Sequence, residues 1–109
     1  MRFSDYQRKA YRTANKNLTG KEKIFQAVFG LVGEIGELTE ILKKWAFQGH
    51  TLPSKLVIEK ELGDVLWYLA LLATVLDIDL EVVAIENIGK LKRRYPDGFN
   101  AKDSIERKE

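Results

Sequence analysis

Apolar residues that recur at steps of three and four constrain the fold of this chain more than any other feature. The clearest stripe lies in the segment that ends near Phe47, and its members are Leu31, Ile35, Leu38, Leu42 and Trp45. Because an α-helix has about 3.6 residues per turn, this spacing places all the members on one helical face. The segment is therefore predicted to be a helix that buries one side against other helices.

Helix-capping residues and apolar spacing together predict four helices along the chain, and no segment has the pattern of a strand. Thr19 is followed three residues later by Glu22, which is typical of a capping box, and Asp79 is a good N-cap. The predicted helices run from about Phe3 to Asn17, from Thr19 to about Phe47, from about Pro53 to Leu76, and from Leu80 to about Arg94. The sequence thus predicts an all-α fold, a bundle of four to five helices over residues 1–100, followed by a polar C-terminal tail over residues 101–109.

Composition excludes several classes of site and partner. The 109 residues include no cysteine, so disulfides, thiolate metal sites and cysteine nucleophiles are excluded, and a cytoplasmic location is expected. The longest charge-free run of the third helix, Val65 to Leu76, is shorter than the about 20 residues that span a bilayer. A net charge of +2 is too small to indicate nucleic acid as a partner. We therefore expect no membrane contact and no stable nucleic-acid partner.

Two pairs of carboxylates lie on the second and third predicted helices. Glu34 and Glu37 are three residues apart, as are Glu61 and Asp64, so each pair projects from one face after a rotation of about 60°. The first pair lies roughly 17 Å before the end of its helix, and the second about 13 Å after the start of the next. If the two helices pack antiparallel, all four carboxylates lie at nearly the same height.

The surroundings of these carboxylates indicate a metal site. No charged residue lies between Lys23 and Glu34, and none between Asp64 and Asp77. Carboxylates in apolar surroundings are costly to bury unless a positive charge pairs with them, and four together repel one another. A divalent cation removes both costs, and oxygen ligands favour Mg²⁺, with Mn²⁺ or calcium as alternatives, over zinc.

Other interpretations of the same residues remain open at this point. The carboxylates could be ordinary solvated positions, with Lys43, Lys44 and Lys60 as nearby partners. A di-iron bundle needs Glu-x-x-His on two helices, whereas the only histidine, His50, lies in a predicted turn. A non-catalytic helical oligomerisation or interaction module with a vestigial site is the main alternative function. A helical nucleic-acid-binding protein is a third possibility, but the sequence contains no recognisable motif for base recognition.

Three segments of the chain together form a recognisable pattern. They are Gly33-Glu34-Ile35-Gly36-Glu37-Leu38, the run from Glu61 to Tyr68, and the closing segment from Asn87 to Phe99. In this order they resemble the MazG-like nucleotide pyrophosphohydrolases of the all-α NTP pyrophosphatase superfamily. The similarity covers roughly Phe25 to Phe99. Residues 1–100 are accordingly identified as a single MazG-like helical domain.

The resemblance implies an enzyme that hydrolyses a nucleoside triphosphate to the monophosphate and pyrophosphate, with water attacking the α-phosphorus. It also implies a magnesium cofactor and a homo-oligomer, either a homodimer or a homotetramer. We predict Glu34, Glu37, Glu61 and Asp64 as metal ligands. Glu37 and Glu34 are the predicted catalytic residues, with Glu37 orienting or deprotonating the water.

Four further residues are predicted to bind substrate. Asn87, Lys90 and Arg94 form a polar stripe on the last helix that we interpret as phosphate-binding, although cations are also favoured at a helix C-terminus for electrostatic reasons. Tyr68 lies one turn beyond Asp64 and is the best candidate for a base or sugar contact. Aromatic residues at helical spacing are also typical of a core, which is the favoured interpretation of Trp67. The apolar run Val65 to Leu76 favours association with another copy.

Overall fold

The computed structural model describes residues 1–107 and is helical throughout, with no β-sheet within this range. Its elements are α1 (Phe3–Ala10), a 3₁₀ turn (Tyr11–Thr13), α2 (Gly20–Phe47), α3 (Lys55–Val75), α4 (Leu80–Arg94) and α5 (Ala101–Ile105). The all-helical fold predicted from apolar periodicity is therefore confirmed.

The residues predicted to cap the second and fourth helices, Thr19 and Asp79, do so in the structure. The Thr19 hydroxyl accepts a hydrogen bond from the Glu22 backbone N–H at 3.2 Å, and the Glu22 carboxylate accepts one from the Thr19 N–H at 2.9 Å. Asp79 accepts a hydrogen bond from the Glu81 N–H at 2.9 Å and begins α4. Helix α3 begins slightly later than predicted, because the Ser54 hydroxyl accepts from the Val57 N–H at 3.3 Å and makes Ser54 the cap.

The first helix is shorter than predicted. Helix α1 ends at Ala10 and tightens into a 3₁₀ turn, so the predicted end at Asn17 is wrong. The Trp67 indole N–H donates to the Ala10 carbonyl and to the Thr13 hydroxyl, both at 3.1 Å, and Ala14 is already extended. A contact from α3 therefore fixes the end of this helix.

The predicted polar tail contains a short helix. The Asn100 side chain accepts a hydrogen bond from the Asp103 N–H at 2.8 Å, and this cap begins α5. The last two residues of the predicted tail, Lys108 and Glu109, lie outside the described residues.

Helices α2 and α3 form an antiparallel hairpin at the centre of the structure. Gly30 of α2 meets Tyr68 of α3, and Glu34, one turn later on α2, meets Asp64, one turn earlier on α3. The buried apolar core of the described chain is small and rich in alanine, which lets the helices approach closely. It consists of Ala27, Ala70, Leu71, Ala73 and Leu80.

Helix α1 crosses α3, and one glutamine of α1 forms hydrogen bonds to the end of α3 and to the turn between α3 and α4. The Gln7 amide nitrogen donates to the Ile78 carbonyl at 2.7 Å and to the Thr74 hydroxyl at 3.2 Å. The Gln7 amide oxygen accepts from the Leu80 N–H at 2.7 Å. Two of these bonds, those with Ile78 and Leu80, satisfy backbone groups at the turn that packing alone would leave without partners.

The single chain has an open shape. Its radius of gyration is 17.2 Å, whereas a compact domain of this length has about 13 Å. Large apolar side chains are exposed on one face of α2 and along α4; they include Phe25, Val28, Phe29, Val32 and Ile35 on α2, and Val82, Val83, Ile85 and Ile88 on α4. The run from Val65 to Leu76, which we expected to favour association, carries three of the buried core residues, although Leu69 and Leu76 within it are exposed.

None of the helices within residues 1–107 combines the length and apolar character that crossing a bilayer requires.

The close approach of α2 and α3 at Gly30 yields the first prediction. A Cβ atom at Gly30 would overlap the Tyr68 ring, whereas a Cβ at Gly33 meets no atom within 4 Å. Both positions are interior to α2, so the gain in helix propensity from alanine is the same. We expect Gly30→Ala to be less stable than Gly33→Ala by about 1–3 kcal/mol in urea denaturation, because of overpacking. Equal stability of the two variants would contradict this contact.

Candidate metal and nucleotide site

Three carboxylates from two helices meet beside the α2–α3 interface. One oxygen each of Glu34, Glu61 and Asp64 lies within 4.8 Å of the others. Glu34 and Glu61 are half-buried, and Asp64 is exposed. The antiparallel hairpin therefore brings Glu34 to the same height as Glu61 and Asp64.

The fourth predicted ligand, Glu37, lies one turn further along α2 and is exposed. Glu34, when protonated, donates a hydrogen bond to Glu37, so the two carboxyl groups are in direct contact. Glu37 is not one of the three residues whose oxygens converge most closely. It lies at the rim of the cluster, where solvent and a ligand can reach it.

The electrostatics of the cluster disfavour its negative charge. The pKa of Glu34 is raised above its ordinary value, first by burial, then by the charges of Glu37 and Asp64, by the hydrogen bond to Glu37, and by the charge of Glu61. Every one of these causes disfavours the charged form of Glu34. A carboxylate whose pKa is raised in this way is stabilised by any cation that binds beside it.

Two oxygens of the cluster show that its ligand set fits a cation. Oε2 of Glu34 and Oε2 of Glu61 are buried and accept no hydrogen bond from the described residues. Buried acceptors without partners are rare in folded proteins because they lose their hydrogen bonds to water without replacement. Closely spaced carboxylate oxygens of this kind are the ligands that hard divalent cations prefer.

Two of the three lysines named as alternative partners of the cluster contact another carboxylate. Lys43 lies 3.0 Å and Lys44 3.9 Å from Glu40. These are solvated pairs about one turn from the cluster, and they contribute little to stability. The interpretation of the four site carboxylates as ordinary partners of surface lysines is therefore weakened.

Tyr68 lies beside the cluster, within the interhelical contact. Its half-buried ring covers Gly30 and meets the Trp67 ring edge-on, with the ring centroids 5.0 Å apart. Trp67 itself donates its indole N–H to α1 and the following turn, so the favoured interpretation of Trp67 as a packing residue agrees with the structure. A contact between Tyr68 and substrate stays a prediction.

The predicted phosphate-binding residues lie on α4, which packs against α1. Asn87 is exposed, whereas Lys90 and Arg94 are half-buried. Arg94 lines a cavity of about 220 Å³ together with Asp103 of α5 and Glu106, the residue that follows α5. A contact of Asn87, Lys90 or Arg94 with substrate phosphates stays a prediction.

Tyr6 of α1 is a neighbour of the cluster that sequence reasoning missed. It is half-buried, and burial together with the charge of Asp64 raises the pKa of its phenol. Nothing local in the sequence indicates this contact, because the crossing of α1 over α3 decides which residue Tyr6 meets.

Comparisons with known proteins identify a family. The model of the MazG nucleotide pyrophosphohydrolase domain matches residues 26–99, more than half of the chain. The Gene 37 protein of Mycobacterium phage L5 is 38% identical over 80 residues, which cover 71% of this chain and 70% of that protein. No solved structure gives a significant match.

Two relatives carry a name that states an activity. dCTP pyrophosphatase 1 of Homo sapiens is 35% identical over 75 residues, and that of Rattus norvegicus is 33% identical over 75 residues. In each case the match covers 63% of this chain but only 44% of the relative, so the chain corresponds to less than half of those proteins. The family match confirms the predicted resemblance and the predicted enzyme class. The chain belongs to the MazG nucleotide pyrophosphohydrolase domain family.

Proposed function

We propose that this protein hydrolyses a nucleoside triphosphate to the monophosphate and pyrophosphate in a magnesium-dependent reaction. The observation that carries the proposal is the convergence of Glu34, Glu61 and Asp64 within 4.8 Å, with two buried oxygens that lack hydrogen-bond partners. The family match supports the reaction class. The names of the two dCTP pyrophosphatases make deoxynucleoside triphosphates the first substrates to test.

Each carboxylate has a role that follows from its position. Glu34, Glu61 and Asp64 would hold Mg²⁺, or Mn²⁺ as the alternative, with Glu37 completing the set from the rim. A bound divalent cation would neutralise charge on the phosphates and make water more acidic. Glu37, exposed at the rim beside Glu34, would accept a proton from the attacking water. The water oxygen bonds to the α-phosphorus, the bond to the bridging oxygen breaks, and pyrophosphate leaves.

Substrate positioning would draw on α4 and on Tyr68. Asn87, Lys90 and Arg94 would bind the phosphate oxygens, and Tyr68 would contact the base or sugar. Because α4 packs against α1 in the single chain, we propose that these α4 residues reach the carboxylates of a neighbouring copy. Positioning and electrostatic stabilisation would supply most of the acceleration.

A homo-oligomer would resolve the open shape of the chain. On the exposed face of α2, Phe29 is 69% exposed and Val32 is 65% exposed. These fractions are large for neighbouring apolar residues on one helix. A second copy would bury this face, as contiguous apolar patches on soluble proteins generally mark interfaces. We propose a homodimer or homotetramer, and a cytoplasmic location, as the lack of cysteine allows.

Pyrophosphate release tests the catalytic proposal. We expect wild-type protein to release pyrophosphate from a panel of deoxynucleoside triphosphates with Mg²⁺ and to lose this activity in EDTA. Glu37→Gln and Asp64→Asn should each lower kcat by about 10²–10⁴-fold, because each removes a charge that acts in the transition state. Glu40→Gln is the matched control, since Glu40 lies on α2 but pairs with Lys43 outside the cluster.

Two outcomes would contradict the catalytic proposal. Robust activity in both Glu37→Gln and Asp64→Asn would remove the proposed site. Folded wild-type protein that is inert towards every nucleotide would instead favour the non-catalytic interaction module.

Thermal melting tests the cation site independently of turnover. In metal-free protein the folded state binds a proton on Glu34 more tightly than the unfolded chain, whose ordinary pKa is 4.5. The resulting stability is present below that value and is lost as the pH rises through the higher folded pKa. In EDTA, raising the pH from 4.5 to neutrality should therefore lower the melting temperature of wild type more than that of Glu34→Gln.

Millimolar Mg²⁺ at neutral pH should then raise the melting temperature of wild type and raise that of Glu34→Gln much less, because one ligand is missing. Glu40→Gln should respond to Mg²⁺ as wild type does. A wild-type melting temperature that is independent of both pH and Mg²⁺ would contradict the proposed cation site.

Sedimentation equilibrium tests the proposed oligomer. We expect wild-type protein to sediment as a dimer or tetramer and Phe29→Asp to shift toward the monomer, because a charge on the α2 face is costly to bury. Thr51→Asp adds the same charge in an exposed turn and should leave the mass unchanged. A monomeric wild type at all micromolar concentrations would contradict the proposed oligomer.

A further inference from the structure

Helix α4 is held by the rest of the chain mainly at its first turn. It packs against α1, and its first residue, Leu80, is buried at 6% exposure. Beyond this turn its apolar side chains are largely uncovered in the single chain, since Ile85 is 61% exposed and Ile88 is 52% exposed. The direction of α4 therefore depends on contacts made at its start.

Gln7, a half-buried residue of α1, makes the shortest of these contacts. Its amide nitrogen donates to the Ile78 carbonyl and its amide oxygen accepts from the Leu80 N–H, both at 2.7 Å. The Leu80 N–H is one of the first N–H groups of α4, which have no acceptor within the helix. Because Asp79 caps the Glu81 N–H from within the turn, Gln7 completes the cap of α4 from a different helix.

This pair of hydrogen bonds needs a side chain that donates and accepts side by side. A primary amide does so, whereas a carboxylate only accepts and methionine, of similar length, has no donor. The Gln7 nitrogen also donates to the Thr74 hydroxyl of α3 at 3.2 Å. One amide thus joins α1 to the end of α3 and to the start of α4. One turn earlier on α1, Ser4 adds a longer bond of 3.4 Å to Glu81.

The backbone of the α3–α4 turn does not fix the angle between these helices by itself. Asp77 has a φ of 55°, a left-handed conformation that favours glycine. Its N–H donates to the Thr74 carbonyl at 3.1 Å, and the Ile78 N–H donates to the Ala73 carbonyl at 2.8 Å. These bonds end α3 and do not reach α4, so the angle depends on side chains such as Gln7.

A change of direction at the start of α4 is magnified at its far end. Lys90 and Arg94 follow Leu80 by 10 and 14 residues, or about 15 and 21 Å along the helix. A tilt of about 10° would then displace Lys90 by roughly 2.6 Å. This displacement exceeds the range of about 0.5 Å over which N–H···O hydrogen bonds form well.

We propose that Gln7 is a positioning residue: its hydrogen bonds across the α3–α4 turn fix the direction of α4 and thereby place Lys90 and Arg94 for contact with substrate phosphates. The inference rests on the proposed function, since those phosphate contacts belong to it. The hydrogen bonds of Gln7 go to residues outside the carboxylate cluster, so the proposed cation site does not need them.

A distance between α3 and α4 tests the inference without turnover. Because the chain has no cysteine, Lys55→Cys with Arg93→Cys gives two specific spin-label sites at exposed positions. Labelled protein diluted into unlabelled wild type reports the distance within one chain by double electron–electron resonance. We expect one narrow distribution in the wild-type background, and a broader one, or a shift of about 3 Å or more, with Gln7→Met. Gln48→Met, the same change at an exposed position, should leave the distribution unchanged.

Steady-state kinetics separates positioning from a general loss of stability, which would lower the active fraction and leave KM unchanged. Gln7→Met should raise KM for deoxynucleoside triphosphates about tenfold and change kcat less than about threefold, because the α4 contacts weaken in substrate and transition state alike. Gln7→Glu, which keeps the acceptor for Leu80 and loses the donor to Ile78, should also raise KM. Mg²⁺ should raise the melting temperature of both variants as in wild type, because the carboxylates lie on α2 and α3.

The outcomes separate this inference from the proposed function. If wild type hydrolyses nucleotides but Gln7→Met keeps the wild-type distance distribution or the wild-type KM, the inference is overturned and the proposed function stands. If wild type hydrolyses no nucleotide, the proposed function fails, and the distance alone decides: a change in Gln7→Met supports the inference, and no change overturns it. If Gln7→Met does not fold, Gln7→Glu takes its place in both measurements. A broad distribution in the wild-type background would also overturn the inference.

Discussion

The repulsion among carboxylates held between α2 and α3 is the interaction on which this structure depends. Packing the two helices antiparallel buries an alanine-rich seam, but it also confines Glu34, Glu61 and Asp64 within 4.8 Å of one another. That arrangement raises the pKa of Glu34 and leaves two buried carboxylate oxygens without hydrogen-bond partners. A chain selected only for stability would place apolar residues there, so we attribute the cluster to function.

Much of this could be predicted from the sequence because it depends on local geometry. The starts of α2 and α4 follow from Thr19 and Asp79, whose caps act within three residues. The height of the carboxylates follows from counting residues along two helices joined by a short turn. The end of α1 could not be predicted in this way, because Trp67 fixes it from more than fifty residues away in sequence. The proximity of Tyr6 to Asp64 was missed for the same reason, since it depends on the crossing of α1 over α3.

The open shape of the chain divides the proposed substrate contacts between two copies. Lys90 and Arg94 lie on α4, which packs against α1, and the apolar face of α2 is left exposed. In this account one copy holds the cation, and a second copy completes the phosphate contacts.

The central claim, that the three converging carboxylates share a divalent cation, is tested most directly by diffraction from crystals soaked in Mn²⁺. The account predicts an anomalous peak between α2 and α3, about 2.0–2.3 Å from oxygens of Glu34, Glu61 and Asp64. Well-ordered crystals in which this position carries no peak, while Mn²⁺ binds elsewhere or not at all, would contradict it.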